Sequence, residues 1–305
     1  MGQPEFIEQT SRRLIENDIA ERTRIHQSEI ARFQAAQDGA RTLKVKSRNT
    51  PYTMLAQGDS WFDYPLTGNT LPYARTDVIA QLGTMGSTPP NILNLAHHGD
   101  AATEEMSLPK QERMITALRD RANWLHGKPD AILFSAGGND IAGNQFCIFL
   151  DFNDGHSTGL NADRFNKALG MVEACYLALF ALRDRLAPGV PVFSHCYDFP
   201  IPNGVSPWCI GPWLKPSIDF CNWTVPQGKA IVHDALVAFR VMLKRLESDA
   251  ANNFHVVETQ GILRPADWAN ELHPHPAGFK KIAQKFATAL GHKLQKRVPY
   301  EAPVA

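Results

Sequence analysis

The sequence predicts an α/β fold in three layers, a parallel sheet covered on both faces by helices. Two patterns predict it. From residue 52 onward short apolar runs alternate with longer amphipathic stretches, and each apolar run ends in a polar or glycine-rich segment. Apolar strands alternating with helices mark βαβ units, whose strands are buried on both sides. Strands are expected at 52–57, 91–96, 131–135, 190–195 and 255–258. Helices are expected at 73–83, 104–124, 163–186, 227–248 and 277–292.

The segments after the first four strands are Gly58-Asp59-Ser60, His97-His98-Gly99-Asp100, Gly137-Gly138-Asn139-Asp140 and Tyr197-Asp198-Phe199-Pro200. Ligands of open α/β sheets bind beyond the carboxyl ends of the strands, so these clusters should converge on one edge. Two long connections, 144–162 and 197–226, interrupt the alternation. Loops of that length inside a compact domain usually serve function.

Residues 4–38 are rich in Glu, Arg, Gln, Ala and Ile and lack Gly and further Pro until Gly39, a helical composition. Ile7, Leu14, Ile19, Ile25, Ile30 and Phe33 keep no strict heptad. A helical arm packed on the main domain is expected, with an oligomerisation arm joining copies of the chain as the alternative. The chain then divides into arm and connector (1–50), main domain (51–295) and tail (296–305).

Lys plus Arg and Asp plus Glu are each 31 among 305 residues, so the formal net charge is zero. That balance gives no electrostatic footprint for nucleic acid or an anionic membrane. No run of about 18 consecutive apolar residues implies a membrane span. Charges interrupt the first residues where a secretory leader would be apolar. Gly2 lacks the Ser or Thr at position 6 that myristoylation wants, since Phe6 stands there. The five cysteines form no CxxC pair, so a reduced, cytoplasmic protein is expected. A bridge between Cys209 and Cys221 stays open.

Ser60 follows the first strand, where a strand-to-helix turn would project its hydroxyl into the crevice. Gly, Asp and Ser are also ordinary turn residues. His273 stands in Asp267-Trp268-Ala269-Asn270-Glu271-Leu272-His273-Pro274-His275, ahead of a helix. A weak hydroxyl needs a neighbouring base to become a nucleophile, and imidazole supplies one near neutral pH. Asn139 offers an amide donor with little steric cover, and Gly99 a bare backbone N–H; fixed donors aimed at one point make an oxyanion hole. Asp63 reads as a brace for its loop and Asp140 as support for the Gly-Gly-Asn-Asp turn. His97, His98, Asp100, His273 and His275 show no metal-ligand spacing.

In order along the chain, Gly-Asp-Ser, a Gly after the second strand, Gly-Gly-Asn-Asp and a C-terminal His-Pro resemble the SGNH (GDSL-type) hydrolase family. The resemblance covers residues 52 to about 292. It implies a flavodoxin-like α/β/α sheet of order 2-1-3-4-5, with the N-terminal helix as an extension. It also implies a serine ester hydrolase working through an acyl-enzyme without cofactor or metal. Ser60 would be nucleophile, His273 general base, and the Ser60 N–H, Gly99 and Asn139 the oxyanion hole.

One departure stands out. The family carries Asp three residues before its histidine, and here the residue is Asn270. An Asp both orients the ring and stabilises the imidazolium; Asn can do the first through its carbonyl oxygen. Asn270 is the expected orienter, with Asp267, Glu271, a backbone carbonyl or a bare Ser-His dyad as alternatives. His275 is placed as a neighbour, since Leu272 occupies its acid position. Trp208, Trp213, Phe220 and Trp223 in the long loop favour an apolar or sugar-bearing ester, lipid or small molecule. A non-catalytic ligand- or protein-binding module on the same fold is the rival reading.

Overall fold

The computed structural model describes residues 3–43, 50–64, 76–206 and 211–294. Five strands form one parallel sheet: β1 (Thr53–Gly58), β2 (Asn91–Asn94), β3 (Ala131–Ser135), β4 (Val192–His195) and β5 (Phe254–Val257), in the order β2-β1-β3-β4-β5. Every residue of β1, β3 and β4 is buried, which explains their continuous apolar runs. This is the three-layer α/β/α architecture and strand order expected. Gly58 of β1 is in register with Ser135 of β3, so the polar segments that follow the strands emerge at one level.

The helices are α1 (Gln3–Thr42), α2 (Val78–Leu82), α3 (Ala102–Glu105), α4 (Leu108–Arg119), α5 (Gly138–Ile141), α6 (Ala162–Leu186), α7 (Lys215–Phe220), α8 (Val225–Ser248) and α9 (Pro276–Leu294). On one face α2 packs against α9; on the other α6 packs against α3, α4 and α8. By length and composition α6 could cross a bilayer. Its Phe165, Leu169, Val172, Tyr176 and Leu179 are instead buried in the domain core, and the Tyr176 hydroxyl donates to Ala136 O at 3.0 Å.

Two expected helices differ in extent. The stretch at 104–124 breaks into α3, α4 and a short turn at Arg121–Asn123. Pro109 lies in the first turn of α4, where its missing N–H costs nothing, but it cannot continue the hydrogen bonding of α3. Of the stretch at 73–83, residues 73–75 lie outside the described ones, and among the rest the helix is α2. There Asp77 caps the helix, accepting from the Ala80 N–H at 2.7 Å. Cys147, Cys175, Cys196 and Cys221 are free thiols; the pairing considered for Cys221 falls on Cys209, outside the described residues.

The N-terminal helix lies along β2, at the edge of the sheet. An uncovered edge strand presents unpaired backbone groups, and α1 covers this one. Ile19 and Ile30 are buried, and His26 is wedged between the Asn91 side chain (3.0 Å) and the Asn123 carbonyl (2.8 Å). Gln27 donates to Asp120 (2.8 Å) and to the Asn123 side chain (3.0 Å). Removing His26 leaves a cavity and strands a buried carbonyl. His26→Ala should therefore lower unfolding free energy by roughly 2–4 kcal/mol in urea titration. A change below about 0.5 kcal/mol, the usual range for an exposed side chain, would mean that the helix is not docked through His26.

Candidate active site

The site is assembled where β1, β3 and β4 end. Gly58 leaves the first strand so close to the third that an added Cβ would sit 2.8 Å from Ser135 Cβ and 2.9 Å from Ser135 O. Only glycine lets the two strand ends approach this way. The Asp59 N–H then donates to Ser135 O at 3.1 Å, and the chain turns so that Ser60 faces the crevice.

Beneath Ser60 is a buried polar network. Asp59 Oδ1 accepts from the Trp61 N–H (2.9 Å) and the Ser135 hydroxyl (2.8 Å), and Oδ2 accepts from the Tyr197 hydroxyl (2.5 Å). Tyr197 Oη in turn accepts from the Gly138 N–H at 3.0 Å. Ser135 Oγ lies 2.8 Å from His195 Nε2, while His195 Nδ1 accepts from the Tyr197 N–H at 3.3 Å. That fixes the His195 proton on Nε2, where it donates to Ser135. Burial holds His195 neutral, its pKa pushed down to about 3, and pushes the Asp59 carboxyl up to about 6 against the pull of its donors. Tyr197 adopts φ 55°, a left-handed conformation rare for a large side chain, which orients its hydroxyl into this network.

His273 comes from the loop before α9. Its Nε2 lies 2.7 Å from Ser60 Oγ, and its Nδ1 lies 3.2 Å from Asn270 Oδ1. The same Asn270 oxygen accepts from the Leu272 and His273 N–H groups, each at 2.9 Å. Three donors around one oxygen settle which end of the amide is which. Nδ1 therefore carries the proton and Nε2 presents its lone pair to the Ser60 hydroxyl. The Asn270 amide N–H donates to Tyr64 Oη at 3.0 Å, and the Tyr64 ring lies against the imidazole, centroids 4.5 Å apart. Trp213 meets the imidazole edge-on, centroids 5.5 Å apart.

The alternative acids are engaged elsewhere. Asp267 binds Lys281 Nζ (2.6 and 2.8 Å) and caps Arg264 N (2.7 Å), with Lys281 holding its carboxyl below the usual range. Both Glu271 oxygens are taken by backbone N–H groups of the long loop. The ring of His273 thus has a neutral partner, and burial, reinforced by His98, pushes its pKa down to about 3.

Ser60, Asn139 and His273 share the wall of one cavity. Its polar end also holds Asp59, Tyr197 and Asp198; the rest is apolar, formed by Ile141, Ala142, Phe146, Pro200, Leu214, Val232, Ala235, Leu236 and Leu272. Gly99 is not in that wall. It sits on an exposed turn at φ +84° and precedes Asp100, whose carbonyl accepts from the Asn139 side chain at 2.9 Å. Among the described residues the N–H groups of Ser60 and Gly99 donate to no protein acceptor. Asp63 braces the Ser60 loop against α1, pairing with Arg22 at 2.8 Å and lying 3.6 Å from His98. Asp140 accepts from Ala102 N at 2.8 Å.

The aromatic loop residues divide. Trp213 stands beside His273, but Trp223 is buried away from the cavity with its indole N–H on Asp151 O (2.8 Å). Phe220 is 66% exposed and packs on Phe152, so neither lines the cavity. Trp208 lies outside the described residues. The apolar wall comes instead from Leu214 and Pro200 of that loop, from Phe146 and from α8, residues whose spacing reads as ordinary core. Tyr64 and His195 were also missed, and Tyr197 was named only as part of its polar segment; each has a partner far away in the chain.

A hydroxyl whose proton faces an imidazole lone pair can be deprotonated as it attacks. With its pKa near 3, His273 should remain neutral from pH 8 to about pH 4 when followed by imidazole nitrogen NMR. A titration midpoint near the ordinary 6.5 would mean that the ring is solvated or paired with a charge.

These features define a flavodoxin-like α/β/α protein with a serine–histidine pair at the carboxyl edge of its sheet. The lipase Lip_vut3 from a goat rumen metagenome superposes with a TM-score of 0.53 at 15% identity, over 79% of this chain and 98% of that one. A GDSL-like lipase candidate from Parabacteroides merdae gives 0.46 at 18% identity, covering 80% and 99%. An extracellular lipase from Streptomyces rimosus gives 0.45 at 14%, covering 77% and 98%. No family model matches the sequence, and no curated protein matches it. The chain has the fold of the SGNH (GDSL-type) hydrolases, and at these identities the likeness is one of fold.

Proposed function

We propose that the protein is a serine ester hydrolase acting through an acyl-enzyme on Ser60. The observation that carries the reading is the 2.7 Å contact between Ser60 Oγ and the unprotonated Nε2 of His273, on a ring locked by Asn270. Ser60 Oγ attacks the ester carbonyl carbon while its proton passes to His273 Nε2. The oxyanion is met by the Ser60 N–H and the Asn139 amide. Collapse breaks the acyl–oxygen bond, and the imidazolium returns its proton to the departing alkoxide. Water, deprotonated by His273, then releases the acid and restores Ser60. The apolar wall favours an ester with an aliphatic or otherwise apolar acyl group.

A panel of chromogenic esters with acyl chains of increasing length tests this. Hydrolysis should appear on the panel, fall to near background in Ser60→Ala, and leave the unfolding midpoint of that variant nearly unchanged. A serine-directed phosphonate should label Ser60. A panel that stays silent with the parent protein would favour a binding module on the same fold.

Asn270 generates a second expectation. Replacing it by Asp keeps every contact possible: the carboxylate can accept from His273 Nδ1 and both N–H groups, and from Tyr64 once its hydroxyl turns to donate. A carboxylate beside the ring favours the imidazolium, so Asn270→Asp should raise kcat and move the acidic limb of the pH–rate profile to higher pH. Asn270→Ala should lose activity, though less than His273→Ala. An unchanged rate and pH profile in Asn270→Ala would show that Asn270 does not orient the base.

A further inference from the structure

Glu271 is wholly buried, two residues before His273, yet it touches neither the histidine nor the cavity. Its Oε1 accepts from the Gly204 N–H (2.9 Å) and the Lys215 N–H (3.0 Å), and its Oε2 from Trp213 (2.6 Å) and Leu214 (3.0 Å). The Glu271 N–H also donates to Val205 O at 3.2 Å. A carboxylate offers about four lone-pair sites, and here four backbone donors fill them. No acceptor capacity remains for His273 Nδ1, which is bonded to Asn270.

The donors come from both ends of the 204–215 stretch. That stretch delivers Trp213 to within 5.5 Å of the His273 ring and Leu214 to the apolar cavity wall. Backbone that lies outside a regular element needs partners for its N–H groups when buried. Here one side chain supplies four of them, and it belongs to the loop that carries the histidine.

We propose that Glu271 is the positioning residue that ties the substrate-facing loop to the catalytic loop, and so determines which acyl groups the cavity accepts. The inference rests on the ester-hydrolase reading of the site. A charge-neutral isostere breaks the clamp by geometry: glutamine has one accepting oxygen, so in any orientation two N–H donors face its NH₂ group. Stranding buried donors typically costs enough free energy to shift a local equilibrium about tenfold or more. The loss falls on Leu214 and Trp213, not on the Ser60–His273–Asn270 contacts.

The test compares kcat and KM of the parent and Glu271→Gln for acetyl and octanoyl esters. The octanoyl-to-acetyl ratio of kcat/KM should fall about tenfold. The acetyl kcat should fall less than about threefold, and the acidic limb of the pH profile should stay in place. Leu214→Ala should reproduce the fall in the ratio with Glu271 intact. An equal fall on both esters would make Glu271 a matter of stability only, and a shifted limb would make it a partner of the base; either overturns the proposal. If Glu271→Gln does not fold, amide exchange in the parent protein decides: the Gly204, Trp213, Leu214 and Lys215 N–H groups should exchange slowly, and rapid exchange at those four refutes the clamp. An inactive parent refutes the reading of the site itself, whereas an active parent with an unchanged ratio refutes only the role of Glu271.

Discussion

Two oxygens of one buried carboxyl hold the carboxyl edge of the sheet together. Asp59 receives Trp61 from its own turn, Ser135 from β3 and Tyr197 from beyond β4, and through Tyr197 it reaches Gly138. Each contact joins a segment that parallel strands alone would leave free once the ladder ends. The Ser60 turn and the Asn139 turn are thereby referred to a single point, about one residue below Ser60. Asp59, Ser135, His195 and Tyr197 all have hydrogen-bond partners, and a satisfied buried polar network can specify one arrangement where apolar packing would allow several. Gly58 permits the close approach, and the left-handed Tyr197 completes it at a conformational cost that the surrounding contacts sustain.

Above that network the histidine is held by different means. Asn270 sets the tautomer through three donors on one oxygen and offers no charge. In a triad with a carboxylate, orientation and stabilisation of the imidazolium come from the same group. Here the first is present and the second is missing, and burial works against the charged ring. A base of low pKa takes a proton with less driving force but gives it up readily to a leaving group. In the proposed ester hydrolysis this would favour the step that expels the alcohol over the step that activates Ser60.

Much of the frame was legible in the sequence because parallel strands buried on both faces leave continuous apolar runs, and because the polar segments after them are short. Ser60 was singled out on its turn after the first strand, His273 as a base ahead of a helix and Asn270 through the family resemblance; the structure puts Ser60 Oγ 2.7 Å from His273 Nε2 and His273 Nδ1 3.2 Å from Asn270 Oδ1. Gly99 was expected to supply a third donor, but its turn stands outside the cavity wall. What stayed hidden was side-chain direction in irregular backbone. Nothing in the spacing of Trp213, Phe220 and Trp223 separates the one beside the base from the exposed one and the buried one. Glu271 read as a potential acid because it neighbours the histidine, whereas its partners lie some 56 to 67 residues earlier in the chain. The helix at 104–124 carried its own warning in Pro109, which an amphipathic pattern outweighs when read alone.

Three titratable groups of the site, Asp59, His195 and His273, and Asp77 at the start of α2 contribute to stability in opposite senses as pH changes. Asp59 and Asp77 have folded pKa values of about 6 and about 7 against an ordinary 3.8, so the folded chain holds protons that the unfolded chain has released. Their contribution is full below pH 3.8 and is lost as pH rises through 6 and 7. His195 and His273 sit at about 3 against 6.5, so the unfolded chain binds protons that the folded chain refuses. Their contribution is full above pH 6.5 and is lost as pH falls toward 3. Between about pH 4 and 6 the two carboxyls release stability with rising pH while the two histidines restore it, each by about 1.4 kcal/mol per unit. Among these four the slopes cancel there. Below that window only the histidine term remains, and stability falls.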